Sequence, residues 1–224
     1  DFPPIAISRL IESLRENNYL NLDFYNIDLL RPSEADIIQY FQMKKPDIIG
    51  ISAVVSTSYK YVKWISKLLK QFLPDSEIIL GGNMAVSSNV LLAKCPIGVC
   101  VYGPGVYTII SLCRHWERYR NFKENEDLKK ITGIAYCNYS DNADSFHFTG
   151  YPSPIPIKHI RQPNYSILED FYLNDPMERV SFRNDPRSHK LKRKGKKMAY
   201  IVFSEGCTSR CTFCHRWTKG YHKL

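Results

Sequence analysis

Asp47-Ile48-Ile49-Gly50-Ile51-Ser52 is a short apolar run, typical of a strand buried on both faces of a sheet. Residues 59–72 follow with apolar side chains at helical spacing, and Glu77-Ile78-Ile79-Leu80 forms the next apolar run. A third strand at 99–102 precedes a helix at 106–119. Because strands that alternate with helices form βαβ units, residues 1–137 are predicted to be a Rossmann-like (flavodoxin-type) α/β domain, a parallel sheet with helices on both faces.

Outside this run, the pattern predicts further elements and two further regions. Ser33 and Asp36 form a capping box for a helix, and Leu22–Leu30 has the pattern of a strand. The runs 131–137 and 145–148 predict a hairpin that closes the sheet. We assign 138–196 to this hairpin and a connector rich in proline and basic residues, and 197–224 to the start of a second domain.

Near the end of the chain, three cysteines stand together, separated by three and then two residues. They are Cys207, Cys211 and Cys214. This spacing lets one short loop offer three thiolates to one iron–sulfur cluster, whereas a cubane held by protein alone needs four. The unligated iron would be an open coordination site, where metal chemistry takes place. The sequence therefore predicts a [4Fe-4S] cluster.

The segment resembles the signature of the radical SAM superfamily, Cys-x3-Cys-x-aromatic-Cys, with Phe213 as the aromatic residue. The resemblance implies that S-adenosylmethionine chelates the open iron, with Phe213 near its adenine. It implies that an electron from the cluster breaks a carbon–sulfur bond and yields a 5′-deoxyadenosyl radical. It also makes the apolar run 198–204 the first strand of a truncated TIM-like barrel.

Other readings of the cysteines stay open. Structural zinc normally has four ligands in paired spacings, and here only His215 or His222 could complete the set. A disulfide framework is disfavoured, because seven cysteines are an odd number and no secretory signal is present. The four scattered cysteines read as small core residues, and this usage indicates a reducing cytoplasm. They are Cys95, Cys100, Cys113 and Cys137.

Small or polar residues follow three of the predicted strands. In open α/β sheets, ligands bind beyond the carboxyl ends of the strands, and glycine lets a bulky ligand approach the backbone closely. One glycine after a strand is more simply a turn, but three such ends in succession predict a binding surface. Its candidate residues are Ser52, Ser56, Thr57, Gly81, Gly82, Asn83, Gly103 and Gly105.

Residues 46–112 resemble the cobalamin-binding domain that precedes the radical SAM barrel in many enzymes. The matching segments, in order, are Pro46-Asp47-Ile48-Ile49-Gly50-Ile51-Ser52, Ile79-Leu80-Gly81-Gly82 and Tyr102-Gly103-Pro104-Gly105. The resemblance implies cobalamin at the candidate surface. Two features depart from it: Pro104 and Val106 replace the usual acidic residues, and the Asp-x-His-x-x-Gly motif is absent. Cobalamin would therefore bind without a histidine axial ligand from that motif.

The net charge of +9 is concentrated in one place. Residues 182–197 hold eight Lys or Arg and one Asp, so +7 of the charge lies there and +2 in the rest. Such a run is usually a solvated connector, and its confinement argues against a nucleic-acid partner. No apolar run is long enough to span a membrane, which predicts no membrane partner.

The resemblance therefore implies a cobalamin-dependent radical SAM enzyme, a methyltransferase or a cyclase. It would act on a small-molecule or peptide substrate with an electron donor such as flavodoxin or ferredoxin. No catalytic base is assigned, and His115 reads as a surface or packing residue. A full barrel takes about 250 residues, so we expect this chain alone to be an inactive fragment. The alternatives are a non-catalytic corrinoid-binding module with a vestigial cysteine loop and a methylthiotransferase-like RNA-modifying enzyme.

Overall fold

The computed structural model describes residues 4–123, 125–140 and 143–153, and, further on, residues 155, 156, 159, 160, 162, 164, 166, 201, 202, 204–207, 209, 211 and 220–223. The helices are α1 (Ile5–Glu16), α2 (Ile27–Leu30), α3 (Glu34–Lys44), α4 (Tyr59–Phe72), α5 (Ser88–Lys94), α6 (Thr108–Tyr119) and α7 (Glu126–Lys129), with 3₁₀ turns at Ser56–Ser58 and Asn83–Ser87. The strands are β1 (Ile48–Ser52), β2 (Glu77–Gly81), β3 (Val99–Val101), β4 (Ile134–Ser140), β5 (Ala143–Phe148), β6 (Ser204–Cys207) and β7 (Gly220–Lys223). Among the described residues, no helix is long and apolar enough to cross a membrane.

One sheet holds the first five strands in the order β1-β2-β3-β4-β5. The first three run parallel, with Ile51 opposite Leu80 and Leu80 opposite Cys100. The predicted Rossmann-like α/β fold is thereby confirmed. The sheet is mixed rather than wholly parallel, because the predicted hairpin, β4–β5, extends it antiparallel to β3. A short hairpin turn can join only antiparallel strands.

Both faces of the central strands are covered. Ile79, Val99 and Tyr136 pack on one face in a core with Leu112 of α6 and Leu128 of α7. The residues that point to the opposite face are buried as well, and they include Leu80, Cys100 and Ala135. β1 is less covered, since Gly50 and Ser52 are exposed. The central strands are therefore a rigid base from which the loops at their carboxyl ends project.

Local signals explain the helices around β1. The predicted helix over 59–72 is confirmed at both ends. The Ser33 hydroxyl accepts from the Asp36 N–H at 3.2 Å and the Asp36 carboxylate accepts from the Ser33 N–H at 3.0 Å, so the predicted capping box is present. The Trp64 indole N–H of α4 donates to the Glu34 carboxylate of α3 at 3.2 Å. This bond links the two helices that flank β1 in the chain.

Two predicted strands differ from the structure. Leu22–Leu30 has no strand: it is irregular and then turns into α2, where the Asn26 side chain accepts from the Leu29 N–H at 3.2 Å. In the predicted barrel strand, Ile201 and Val202 also lie outside any strand. The Gln162 side-chain amide bonds both backbone groups of Val202, at 2.8 and 3.0 Å, in place of a strand partner. Residues 198–200 and 203 lie outside the described part, and Ser204 begins β6, so the barrel strand as a whole stays a prediction.

The chain after the β4–β5 hairpin packs back against the residue that precedes β4. Gly133 and Gly150 have positive φ angles of 81° and 88°, and the Gly133 N–H donates to the Gly150 carbonyl at 3.0 Å. A Cβ at Gly133 would lie 3.0 Å from the Pro152 ring. Only glycine at 133 therefore lets the chain at Pro152 pack this closely against the start of β4.

The chain divides into two compact units. One contains the five-stranded sheet and comprises Leu30–Pro154 and Cys207–Gly220. The other comprises Asp1–Leu29, Ile155–Gly206 and Tyr221–Leu224. The domain boundaries expected from the sequence stay a prediction.

Candidate cofactor site

The candidate ligand residues of the first domain lie at one edge of the sheet. Ser52 ends β1 and Gly81 ends β2, and the two residues face each other in the strand register. Gly103 and Gly105 follow β3, the next strand, with positive φ angles of 77° and 68°. Because parallel strands end on the same side of a sheet, these segments share what we call the carboxyl edge. Of the remaining candidates, Ser56, Thr57, Gly82 and Asn83 are exposed in the loops of this edge.

Gly82 is the tightest position of the carboxyl edge. Its φ is +88°, and a Cβ built there would lie 2.9 Å from the Ala53 carbonyl carbon and closer still to the oxygen. The Ala53 carbonyl accepts from the Met84 N–H at 3.1 Å, and the Ala53 N–H donates to the Gly81 carbonyl at 3.0 Å. The β1 and β2 loops are therefore interlocked through their backbones. At Gly81, by contrast, a Cβ would meet nothing within 4 Å.

The surface of the carboxyl edge is uncharged. Residues 52–58, 81–88 and 102–107 include no Asp, Glu, Lys, Arg or His. Val54 and Val55, which sequence reasoning did not single out, are 61% and 54% exposed. Hydroxyls, an amide, backbone groups and exposed valines suit a large neutral ligand that is part apolar and part amide-bearing. A corrinoid has this chemistry, so the residues fit the cobalamin predicted from the sequence.

The loops of the carboxyl edge offer no imidazole to cobalt. The loop residues include no histidine. His115 is buried in α6, where its Nε2 lies 3.1 Å from the Asn125 side-chain oxygen and its ring stacks on Phe122. Of the two roles expected for His115, surface or packing, the structure shows packing.

Behind the carboxyl edge, Tyr102 makes a contact that the sequence did not reveal. It follows β3 directly, is 6% exposed, and brings its hydroxyl to 2.6 Å from the Ser88 hydroxyl. Burial raises the pKa of the Tyr102 phenol, and the bond to Ser88 lowers it in part. Nothing in the local sequence pairs these residues, because they meet only when β3 lies beside β2.

Two of the three predicted cluster ligands are among the described residues. Cys207 is the last residue of β6, which pairs with β7, and Cys211 is an exposed free thiol. Cys214 and Phe213 lie outside the described part of the chain. Within that part, no three His, Cys, Asp or Glu residues come together as a metal site. The iron–sulfur cluster therefore stays a prediction.

Two of the four scattered cysteines are core residues as predicted, because Cys95 and Cys100 are buried, whereas Cys113 and Cys137 are only partly buried. Cys95, Cys100, Cys113 and Cys137 are all free thiols. Burial raises the pKa of each of the first three, that of Cys113 to about 11. Cys100, Cys113 and Cys137 lie within β3, α6 and β4, and among the described residues they form no group of three possible metal ligands. This arrangement argues against the methylthiotransferase-like alternative, in which first-domain cysteines would bind a second cluster.

The chain is similar in sequence to a cofactor-binding family and to a characterised enzyme. The B12-binding domain family matches residues 1–112. The chain is 25% identical over 222 residues to the anaerobic magnesium-protoporphyrin IX monomethyl ester cyclase of Rubrivivax gelatinosus. This alignment covers 97% of the chain and 35% of the relative, so the chain spans about a third of the relative's length.

A solved structure has a similar fold. It is the radical S-adenosylmethionine methyltransferase TsrM from Kitasatospora setae, with a TM-score of 0.54 and 15% identity. The match covers 64% of this chain and 27% of that one. This match shows a shared fold, and the family match together with the cyclase relative bears out the resemblance to cobalamin-binding-domain-containing radical SAM proteins. The chain belongs to the B12-binding domain family.

Proposed function

We propose that the chain binds cobalamin at its carboxyl edge, as the front part of a cobalamin-dependent radical SAM enzyme. The observation that carries this proposal is the uncharged edge built around Gly82, in a chain of the B12-binding domain family. Gly81, Gly82, Gly103 and Gly105 would give a flat ligand access to the backbone. Ser52, Ser56, Thr57 and Asn83 would offer hydrogen bonds to its amide groups.

The protein's own share of the chemistry is binding and orientation. When bound, cobalamin supplies methyl-group transfer, and the cluster with S-adenosylmethionine supplies a radical that abstracts hydrogen. Val54 and Val55 would cover the apolar part of the corrinoid and keep water from it. Since the edge offers no histidine, no protein ligand is assigned to cobalt.

The second half of the proposal concerns the cysteine segment. Cys207, Cys211 and Cys214 would ligate three irons of a [4Fe-4S] cluster, with Phe213 beside the adenine of S-adenosylmethionine. Support comes from the cyclase relative, whose alignment spans 97% of this chain. The proposed reaction is radical methylation or cyclisation of a small-molecule or peptide substrate, with flavodoxin or ferredoxin as electron donor. We expect the 224-residue chain alone to bind cofactors without turnover.

Titration of the purified chain with hydroxocobalamin tests the first half. We expect a saturable shift in the corrinoid absorption spectrum at one equivalent per chain. Double substitution of Ser56 and Thr57 by alanine removes two exposed hydroxyls of the edge and should weaken binding. Asp75→Asn, at the opposite end of β2, is the matched surface control. A wild-type chain that leaves the spectrum unchanged would overturn the proposal.

Anaerobic reconstitution with iron and sulfide tests the second half. We expect about four irons per chain, and their loss when Cys211 is replaced by alanine, while Cys113→Ala leaves the iron content unchanged. Corrinoid binding without any iron would favour the non-catalytic module. Two clusters per chain would favour the methylthiotransferase-like enzyme, and zinc in place of iron would favour a structural metal site.

A further inference from the structure

A buried pair of hydroxyls joins two loops of the carboxyl edge. Ser88 begins α5, directly after the 3₁₀ turn that follows Gly82, and Tyr102 immediately precedes Gly103. Their hydroxyl oxygens lie 2.6 Å apart, and the Tyr102 hydroxyl also donates to the Val86 carbonyl at 3.4 Å. Ser88 is 1% exposed. The Tyr102 hydroxyl, which lies just after β3, therefore makes two hydrogen bonds to the segment that follows β2.

The Tyr102 ring is held on its other sides too. It packs on Phe148 and Tyr151, with ring centroids 4.6 and 5.9 Å away. The backbone N–H of Tyr102 donates to the Gly133 carbonyl at 2.8 Å. Aromatic pairs at such distances stabilise a fixed geometry. The phenol is therefore an anchored part of the sheet, and the bonds from its hydroxyl restrain the loop that they reach.

This restraint acts on glycine segments that could otherwise adopt many backbone conformations. Gly82, Gly103 and Gly105 all have positive φ, and glycine loses more conformational freedom on ordering than any other residue. A ligand that must order such loops loses affinity, whereas loops that are already ordered bind more tightly. The buried bond lies directly behind both glycine segments and is shielded from water by its surroundings.

We propose that Tyr102 and Ser88 are positioning residues that hold the Gly82 and Gly103–Gly105 segments in the arrangement that binds the corrinoid. The inference rests on the proposed function of the carboxyl edge. Neither hydroxyl needs to touch the ligand, because both act through the backbone loops. Burial keeps the phenol protonated, so the bond persists over the working pH range.

The test compares hydroxocobalamin affinity with stability in matched variants of the whole chain. Tyr102→Phe removes one hydroxyl and keeps the ring packing, and Ser88→Ala removes its partner. The control Tyr119→Phe deletes a hydroxyl bond of the same 2.6 Å length, to Asp127, away from the edge. Ser66→Ala, which deletes a buried serine hydroxyl within α4, is the matched serine control.

We expect Tyr102→Phe and Ser88→Ala each to raise the corrinoid Kd about three- to tenfold, as the loss of one buried hydrogen bond implies. The double variant should bind the corrinoid no more weakly than the single variant with the higher Kd, because both changes break the same bond. Amide exchange in residues 82–87 and 103–105 of the ligand-free chain should speed up in both variants. Tyr119→Phe and Ser66→Ala should lower the melting temperature to a comparable degree without changing Kd or this exchange.

Each outcome decides a separate question. Wild-type affinity in Tyr102→Phe and Ser88→Ala, with binding intact in the parent, overturns the positioning role alone. Weaker binding that all four variants share, in proportion to lost stability, also overturns it. No binding by the parent chain overturns the proposed function, and the positioning role with it.

Discussion

The carboxyl edge and the corner formed by α6 and α7 lie in the same unit but are built differently. In the α6–α7 corner, side chains bond one another: the Tyr119 hydroxyl and the Arg118 guanidinium donate to the Asp127 carboxylate at 2.6 and 2.7 Å. Asn125 bonds His115 and accepts from the Leu128 N–H at 2.8 Å. At the carboxyl edge, the contacts are mostly between backbone groups and the outermost side chains face water. The corner is built for stability, and the edge leaves groups available to a ligand.

The largest effect is expected at Gly82, where the edge is as constrained as any core position. Gly82→Ala places a Cβ against the Ala53 carbonyl at a positive φ, and we expect a loss of about 3 kcal/mol in the free energy of unfolding. Urea denaturation measures this loss. Gly81→Ala is the matched control, since a Cβ there meets nothing within 4 Å. Equal losses in the two variants would contradict the interlocked loops.

Asn125 tests the α6–α7 corner. Asn125→Ala removes the cap of α7 and the partner of the buried His115 ring, so we expect a loss of about 2 kcal/mol in unfolding free energy. Hydroxocobalamin affinity should not change. Asn125→Asp keeps the capping oxygen and should recover most of the loss in urea denaturation at neutral pH. A change of corrinoid Kd in Asn125→Ala would show that corner and edge are coupled.

Asp127 makes the stability of the corner depend on pH. The hydrogen bond from Tyr119 and then the one from Lys130 hold the pKa of this carboxyl below its usual value. A lowered folded-state pKa means that the contribution is present above about pH 4 and is lost as pH falls through the folded value. The stability gap between the parent and Asp127→Asn should therefore close on acidification.

Thermal unfolding between pH 7 and pH 2.5 would show this closing gap. Asp75→Asn removes the same charge elsewhere and serves as the control. A gap between the parent and Asp127→Asn that is independent of pH would contradict the Asp127 assignment.

The smallest effect on stability is expected at the exposed valines. Replacing Val54 and Val55 by serine should change unfolding free energy by no more than about 0.5 kcal/mol, because exposed side chains lose little. Corrinoid binding should nevertheless weaken, since these valines would cover the ligand. Val90→Ser, an exposed valine of α5, is the control for both measurements. Unchanged binding after replacement of both valines would contradict the proposed apolar contact between Val54 and Val55 and the corrinoid.

Periodicity predicted the elements whose stability is local. Helix α4 has a continuous apolar face and ends where predicted, and the capping box of α3 is readable from Ser33 and Asp36 alone. The strand pattern of Leu22–Leu30 failed because a strand needs a partner for its backbone groups, which periodicity does not supply. The Asn26 cap of α2 was the competing signal, and it decided the local structure.

Only part of the candidate site could likewise be predicted from the sequence. The place of Gly81, Gly82 and Gly103 could be predicted from the sequence, because glycines follow successive predicted strands and parallel strands end at one edge. Their contact with a ligand stays a prediction. The contact between Tyr102 and Ser88 could not be predicted, because it joins residues 14 apart that meet through the sheet register. Val54 and Val55 were not singled out either, because only the structure shows that these apolar side chains are exposed.

The close fit of Gly133 against Pro152 fixes where the chain leaves the hairpin. Residues 149–152 could extend about 14 Å if they were free. Because Pro152 rests on Gly133 and the Gly133 N–H donates to the Gly150 carbonyl, these four residues are instead held beside the start of β4. The chain therefore leaves the sheet from one defined point. Gly133, in the turn before β4, sets that exit point, and any larger residue there would shift it.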